Sequence, residues 1–519
     1  MDPRSLGLFR VALGLVLLSD LLRRFVELRF WYVNSGLLPN HTLLWRPPAG
    51  RMFSLFFTIS SEPEARLAFG LCALVYAAFL VGYRTGLMQV LTLVVRVSVN
   101  TRLAVLENGG DMVMDLLCLL SLPLPLGARF SLDAVAAAQR DGSKAAVAWA
   151  QRPVVSVAML GLILQFAIIY LMNAASKNGQ AWRDGSAIHY ALHQDKLVTW
   201  VGVWMREHVP EIWLRHLTRA VLSTEWLGFA LIISPVFVRQ ARLLAVCVMP
   251  LLHLGFALGL NLGGFSVAMV AFYPLLLRAE HWEMLARSFG ARVQPRVERL
   301  ELAVRELLSW VRYPLVSAPS LVWRVITEGL TLLVLVAIAT EVVNDNTPVP
   351  RALRVAQPDW AKAVIEYPRI LQGWRMFASE PPRGDSMIFV DAKTADGRHV
   401  DPYNEVASDQ RYPDGNVVPV HMGQSQFFVM YTERIANVSY AAYRQAFSEW
   451  LVAYPERTRR PQDCLVSYEV YLVTDESPAV GSNQPKPAQR QRFMSYTAPF
   501  DSPCRTLQAS ALSHPPPAG

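Results

Sequence analysis

Nine apolar runs separated by polar connections decide what this chain can fold into. They are Leu6–Leu22, Arg66–Gly82, Leu87–Leu106, Met112–Leu126, Val154–Ala175, Leu217–Phe237, Leu243–Leu260, Gly263–Leu277 and Leu321–Val343. A helix crossing about 30 Å of hydrocarbon needs about 20 mostly apolar residues. The fourth and eighth runs are short of that. The seventh and eighth are split only by Asn261–Gly264, so they form either one broken helix or a tight hairpin. The expected fold is mainly α: a polytopic helical membrane bundle of about nine spans. Composition agrees, because only 17% of the 519 residues are charged, against about 25% in a soluble protein.

The formal charge of +8 does not point to nucleic acid. Its arginines lie in the connections, where they set membrane orientation. Connections after even-numbered runs carry Arg84; Arg129, Arg140, Lys144 and Arg152; Arg239 and Arg242; and Arg287 through Arg312. With these in the cytoplasm, the N-terminus is inside and the C-terminal part outside. Arg23, Arg24, Arg29, Arg46 and Arg51 follow the first run and weaken the bias. No small-x-small cleavage site follows Leu22, so the first helix is expected to be retained. The expected location is a membrane crossed many times, with the lipid bilayer as first partner.

Three of the five cysteines, Cys72, Cys118 and Cys247, fall in apolar runs and read as packed residues. Cys464 and Cys504 lie in the polar C-terminal part and can pair if it is extracytoplasmic. No CxxC or Cys/His ligand spacing occurs, so no metal site is expected. The outer connections, 25–64 and 176–216, mix aromatics with arginines, as amphipathic helices at a lipid boundary do.

Four regions follow. Residues 1–290 form the membrane domain. Residues 291–345 hold a cytoplasmic amphipathic helix and the last span. Residues 346–475 form a small α+β extracytoplasmic domain, and 476–519 a disordered tail. Within the outer domain, FVDAKTADGRHVD (389–401) reads as a hairpin turning at Asp396-Gly397. Val438–Tyr454 reads as a helix and Leu465–Thr474 as a strand. WRMFASEPP (374–382) reads as a structured loop.

Ionisable groups inside apolar runs are functional candidates by default. His253 is either a neutral histidine bonded across a helix interface or a ligand-contacting, proton-handling group. Glu225 lies nearer a span end, where it either lines a cavity or faces headgroups. Asp20 suits pairing with Arg23 or Arg24 at helical spacing. In Glu107-Asn108-Gly109-Gly110-Asp111 the glycines permit a turn, and Asp111 either caps the next helix or lines a cavity mouth. His189 and His193 share i, i+4 spacing and read as a wet amphipathic face. Lys177, with Trp182 behind it, follows the fifth run; it is either an interface anchor or a base held near the bilayer. The usual nucleotide, zinc-protease and serine-hydrolase motifs do not occur.

The segment YLMNAASKNGQAWRDG, with Tyr170, Lys177, Trp182 and Gly185, resembles the segment around the catalytic lysine of vitamin K-dependent gamma-carboxylases. It also resembles bacterial proteins with the same horizontally transferred transmembrane (HTTM) domain. FRVALGLVLLSDLLRRF with Tyr32, Gly36 and Pro39, NGGD followed by FSLD at Phe130–Asp133, and HLGFALGLNLGGFSVAM with His253, Phe265, Ser266 and Met269 extend the resemblance over roughly 1–290. The resemblance implies a carbon-carbon lyase of the gamma-glutamyl carboxylase type. Its cofactor would be reduced vitamin K or another lipophilic quinol, and its partner a peptide or envelope protein. Lys177 would be the base and His253 a second catalytic residue. Asn108, Asp111, Trp182, Glu225 and Ser266 would line the cavity. The sequence departs where the carboxylases carry a histidine and this chain has Gly109-Gly110-Asp111. The alternative from a different class is a non-catalytic scaffold presenting its outer domain.

Overall fold

The computed structural model describes residues 1–45, 51–141, 153–309, 321–408, 425–482 and 486–513. Arg46, Lys144, Arg152, Arg312 and the terminal HPPPAG lie outside these residues.

The described chain is mainly helical. Its principal helices are α1 (Pro3–Val26), α2 (Glu62–Val81), α3 (Thr85–Thr101), α4 (Gly109–Leu120), α5 (Val157–Ser176), α6 (Glu211–Ile233), α7 (Val238–Gly259), α8 (Phe265–Phe272), α9 (Ala279–Ser309) and α10 (Leu321–Asp345). Local chemistry sets several of the ends. The Asp2 carboxylate accepts from Arg4 N at 2.8 Å, with Pro3 following. A Ser61/Glu64 capping box starts α2, and Gly82, at φ 70°, ends it in the left-handed region. Asn108 caps α4, accepting from Gly110 N at 2.8 Å. Asp111 sits three residues into the helix as its capping-box partner rather than as the cap.

Among the described residues, α1, α2, α5, α7 and α10 are long and apolar enough to cross a membrane. The other expected crossings are shorter or more polar. Helices α3, α4 and α8 have 17, 12 and 8 residues. The 23-residue α6 carries Glu211, Arg215, Arg219 and Glu225. Only 22% of the apolar stretch of α7 and 17% of that of α10 is buried. Large apolar side chains face outward on both, among them Leu251, Leu254 and Leu258 of α7 and Val325, Leu330 and Leu332 of α10, an exposure unfavourable against water. It identifies a membrane protein whose solvent on these faces is lipid.

Helix α1 packs on α2 and α8, α5 on α6, and α7 on both α6 and α8. The α7–α8 contact makes Asn261–Gly264 a hairpin, with Gly263 at φ 59°. The largest apolar core among the described residues continues from the bundle into the C-terminal domain, called outer below for its expected side. At the junction, Trp31 packs on Phe428 and Tyr431 of α11 (Gln426–Ala436), with ring centroids 4.8 and 5.4 Å apart.

The outer domain is built on an antiparallel sheet of β1 (Gly384–Thr394), β2 (His399–Asp401), β3 (Val406–Ser408), β4 (Leu465–Glu476) and β5 (Gln489–Thr497), in the order β3-β2-β1-β4-β5. The β1–β2 turn falls at Asp396-Gly397 as expected, with Gly397 at φ 88°. The expected helix begins as a 3-10 segment, Val438–Tyr443, and continues as Arg444–Val452. The expected disordered tail is a correction: β5 pairs with β4 from Ser467↔Thr497 to Thr474↔Gln489. Helix α12 (Pro503–Ser513) follows, and a Cys464–Cys504 disulfide ties it back. The Gln/Arg-rich sequence of β5 looks disordered because it is an edge strand solvated on its outer side. Its order comes from pairing across to β4.

Candidate functional site

Helix α5 places Tyr170, Asn173 and Lys177 at i, i+3 and i+7, one face ending where the helix ends. Across from it, α6 presents Glu225. The Lys177 amine contacts Glu225 Oε1, and Asn173 Nδ2 donates to the same oxygen at 3.0 Å. Both side chains of the ion pair are nearly fully buried, at 3% and 2% exposure. Glu225 Oε2 is buried without a hydrogen-bond partner. The Trp182 ring centroid lies 4.8 Å from Lys177 Nζ. Burial pulls the Lys177 amine below the usual lysine range, and the neighbouring Glu225 only partly offsets this.

About two turns before Lys177, Tyr170 carries the contact network further along α5. Its hydroxyl meets His253 Nε2 at 2.6 Å and the Tyr273 hydroxyl. His253 Nδ1 and the Ser266 hydroxyl are buried and unpartnered. The Phe265 ring lies 5.7 Å from the His253 ring. His253 is thus bonded across the interface of α7 with α5. Glu225 faces Lys177 rather than headgroups, because α6 turns it into the interface with α5.

The C-terminal domain closes this site. The segment Gln372–Glu380 runs alongside α5 in the same direction. Gln165 Nε2 donates to Gln372 Oε1 at 2.6 Å. Met376 N donates to Asn173 Oδ1 at 3.0 Å. Trp182 Nε1 donates to Phe377 O at 2.9 Å, and Gly179 N to Ser379 O at 3.2 Å. Glu380 accepts from Ala181 N at 3.2 Å, at the start of the short helix Gln180–Asp184. Gly179 gives room here: a Cβ would lie 2.7 Å from the Ser379 carbonyl oxygen, a backbone atom. Further along the interface, Lys196 Nζ pairs with Asp385 at 3.3 Å and Glu433 at 2.8 Å.

Asn108 and Asp111 do not contact Lys177. They belong to a second buried cluster. Asp20 binds Arg23 at 2.6 Å, Arg24 at 2.7 Å and Arg96 at 2.9 Å. Asp111 binds Arg24 and, at 2.8 Å, Arg96, which also reaches Asp115 at 2.8 Å. Asn100 links Asp115 to Glu107, and Glu107 pairs with Arg369, just before the Gln372–Glu380 segment. Gly110 leaves room for the Phe265 backbone, 2.6 Å from where its Cβ would stand. His189 and His193 bond to the carbonyls of Pro478 and His189. Among the described residues no group of three His, Cys, Asp or Glu gathers to hold a metal.

Sequence reasoning missed Asn173, Tyr273, Arg96, Asp115 and the Glu107–Arg369 pair. Asn173 was readable, since it shares the helix face of Tyr170 and Lys177. Arg96 and Asp115 were readable as ions inside apolar runs. Arg369 carried no local signal.

The fold and site define a helical membrane protein in which a segment of the C-terminal domain closes over a buried lysine–glutamate pair. Comparison with protein-family models, curated proteins and solved structures returns no match for this chain.

Proposed function

We propose that this chain is an HTTM-type integral-membrane enzyme of the vitamin K-dependent gamma-carboxylase-like group. Lys177 acts as a general base on a lipophilic quinol or a related acidic substrate arriving from the bilayer. In this reading nine helices cross the inner membrane, α3, α4, α6 and α8 among them. The C-terminal domain lies outside the cytoplasm, where an oxidising compartment suits the Cys464–Cys504 bond. The observation that carries the reading is the buried Lys177 amine, held by Glu225 and covered by Trp182 and the outer segment. An interface anchor reaches water with its charged head; this one does not. Burial favours the neutral amine that a base requires. His253 is the second candidate, through its contact with Tyr170.

Lys177→Arg tests the base role. Arginine keeps the charge but does not become neutral at working pH. Quinol turnover in membranes should be lost in this variant. Unchanged turnover would remove the base role and leave the scaffold reading, which the extensive polar stitching of the outer domain to the bundle favours. Carboxylation is tested separately, by mass spectrometry of envelope proteins for a carbon dioxide-sized gain on glutamate.

A further inference from the structure

We infer that Glu225 carries the proton of the buried pair, on Oε2, so that Lys177 rests as a neutral amine with its lone pair free. The inference rests on Lys177 being the base and assigns the residue that makes it one. In water the ionised pair is favoured by about six pK units. Burial reverses that preference unless further hydrogen bonds compensate both ions. Here they do not. Lys177 Nζ and Asn173 Nδ2 both meet Oε1, the carbonyl-like oxygen. Oε2 receives no donor and is shut off from solvent, so an ionised carboxylate would leave one charged oxygen buried without a hydrogen bond. Among the described residues no second cation contacts Glu225. Asn173, which does contact it, is neutral. The Trp182 ring stabilises a cation modestly and also accepts an N–H from a neutral amine.

The consequence is a complete proton account. Lys177 donates one N–H to Oε1 and keeps its lone pair. That lone pair takes the proton from a substrate hydroxyl, leaving an ammonium and a substrate oxyanion, with no heavy-atom bond made or broken. Asn173 is a positioning residue: its amide orients Glu225 through Nδ2 and receives Met376 N on Oδ1. Seating of the outer segment is thereby tied to the geometry of the pair.

Infrared difference spectroscopy of the full chain in lipid nanodiscs at neutral pH tests this without any substrate. Wild type minus Glu225→Gln should show a carboxylic-acid C=O stretch that the variant lacks, and no carboxylate difference. The opposite pattern, a carboxylate band and no acid band, overturns the inference. Should Glu225→Gln fail to fold, Glu225→Asp should shift the acid band rather than replace it with a carboxylate band. Lys177→Arg is assayed in parallel for quinol turnover. Loss of turnover without an acid band in the wild type refutes the Glu225 assignment and leaves the base intact. Retained turnover refutes the base itself, whatever the spectrum shows.

Discussion

Replacing Lys177 by methionine separates a neutral pair from an ionised one by the sign of the stability change. Methionine keeps the buried apolar stem and removes the amine, whose side chain is 3% exposed. Holding a lysine neutral at pH 7 costs about 4.6 kcal/mol relative to water. The variant escapes that cost. It loses one neutral hydrogen bond to Glu225 Oε1, worth about 1 kcal/mol net, and the contact with the Trp182 ring, about 0.5–1 kcal/mol. Lys177→Met should therefore stabilise the fold by about 2.5–3.5 kcal/mol at pH 7. If the pair is ionised, the same substitution leaves an uncompensated buried carboxylate and destabilises by about 3–5 kcal/mol. The assay is reversible unfolding by sodium dodecyl sulfate in dodecyl maltoside micelles, followed by tryptophan fluorescence. A transition moved to lower denaturant in the variant would refute the reasoning.

Three further outcomes follow from the geometry. Arg369→Ala strands Glu107 in the bundle and should cost about 3–5 kcal/mol. Arg369→Met with Glu107→Met should recover most of it, as a double-mutant cycle in the same micelles would show. Removing the Cys464–Cys504 bond, which closes a 40-residue separation, should cost about 4 kcal/mol, read as earlier melting of the outer domain under reductant; equal melting with and without reductant would contradict it. Gly179→Ala drives a Cβ onto Glu380 and the Ser379 carbonyl. It should lift the outer segment and expose Lys177 to a membrane-impermeant amine reagent, with peptide mapping showing new modification at Lys177. Unchanged labelling would mean that the segment does not close the site.

The apolar runs alone determined that this is a helical membrane protein. Twenty-residue apolar stretches have few other stable solutions, so the information is local. The polar shift after Val343, the Asp396-Gly397 hairpin and the possibility of a Cys464–Cys504 bond were readable for the same reason. Lys177 stood out because it breaks an apolar run. Its meaning did not, since a lysine past a span looks the same whether it reaches water or turns inward. Packing of α6 on α5 decided that, by setting Glu225 against the amine. The order of β5 and the pairing of Arg369 with Glu107 were likewise beyond local reading. Arg369 meets Glu107 across 262 positions, and the polar β5 takes its order from cross-strand hydrogen bonds to its neighbour β4. Only the tertiary structure decides which buried charge meets which, because desolvation makes a partner obligatory without naming it in the sequence around it.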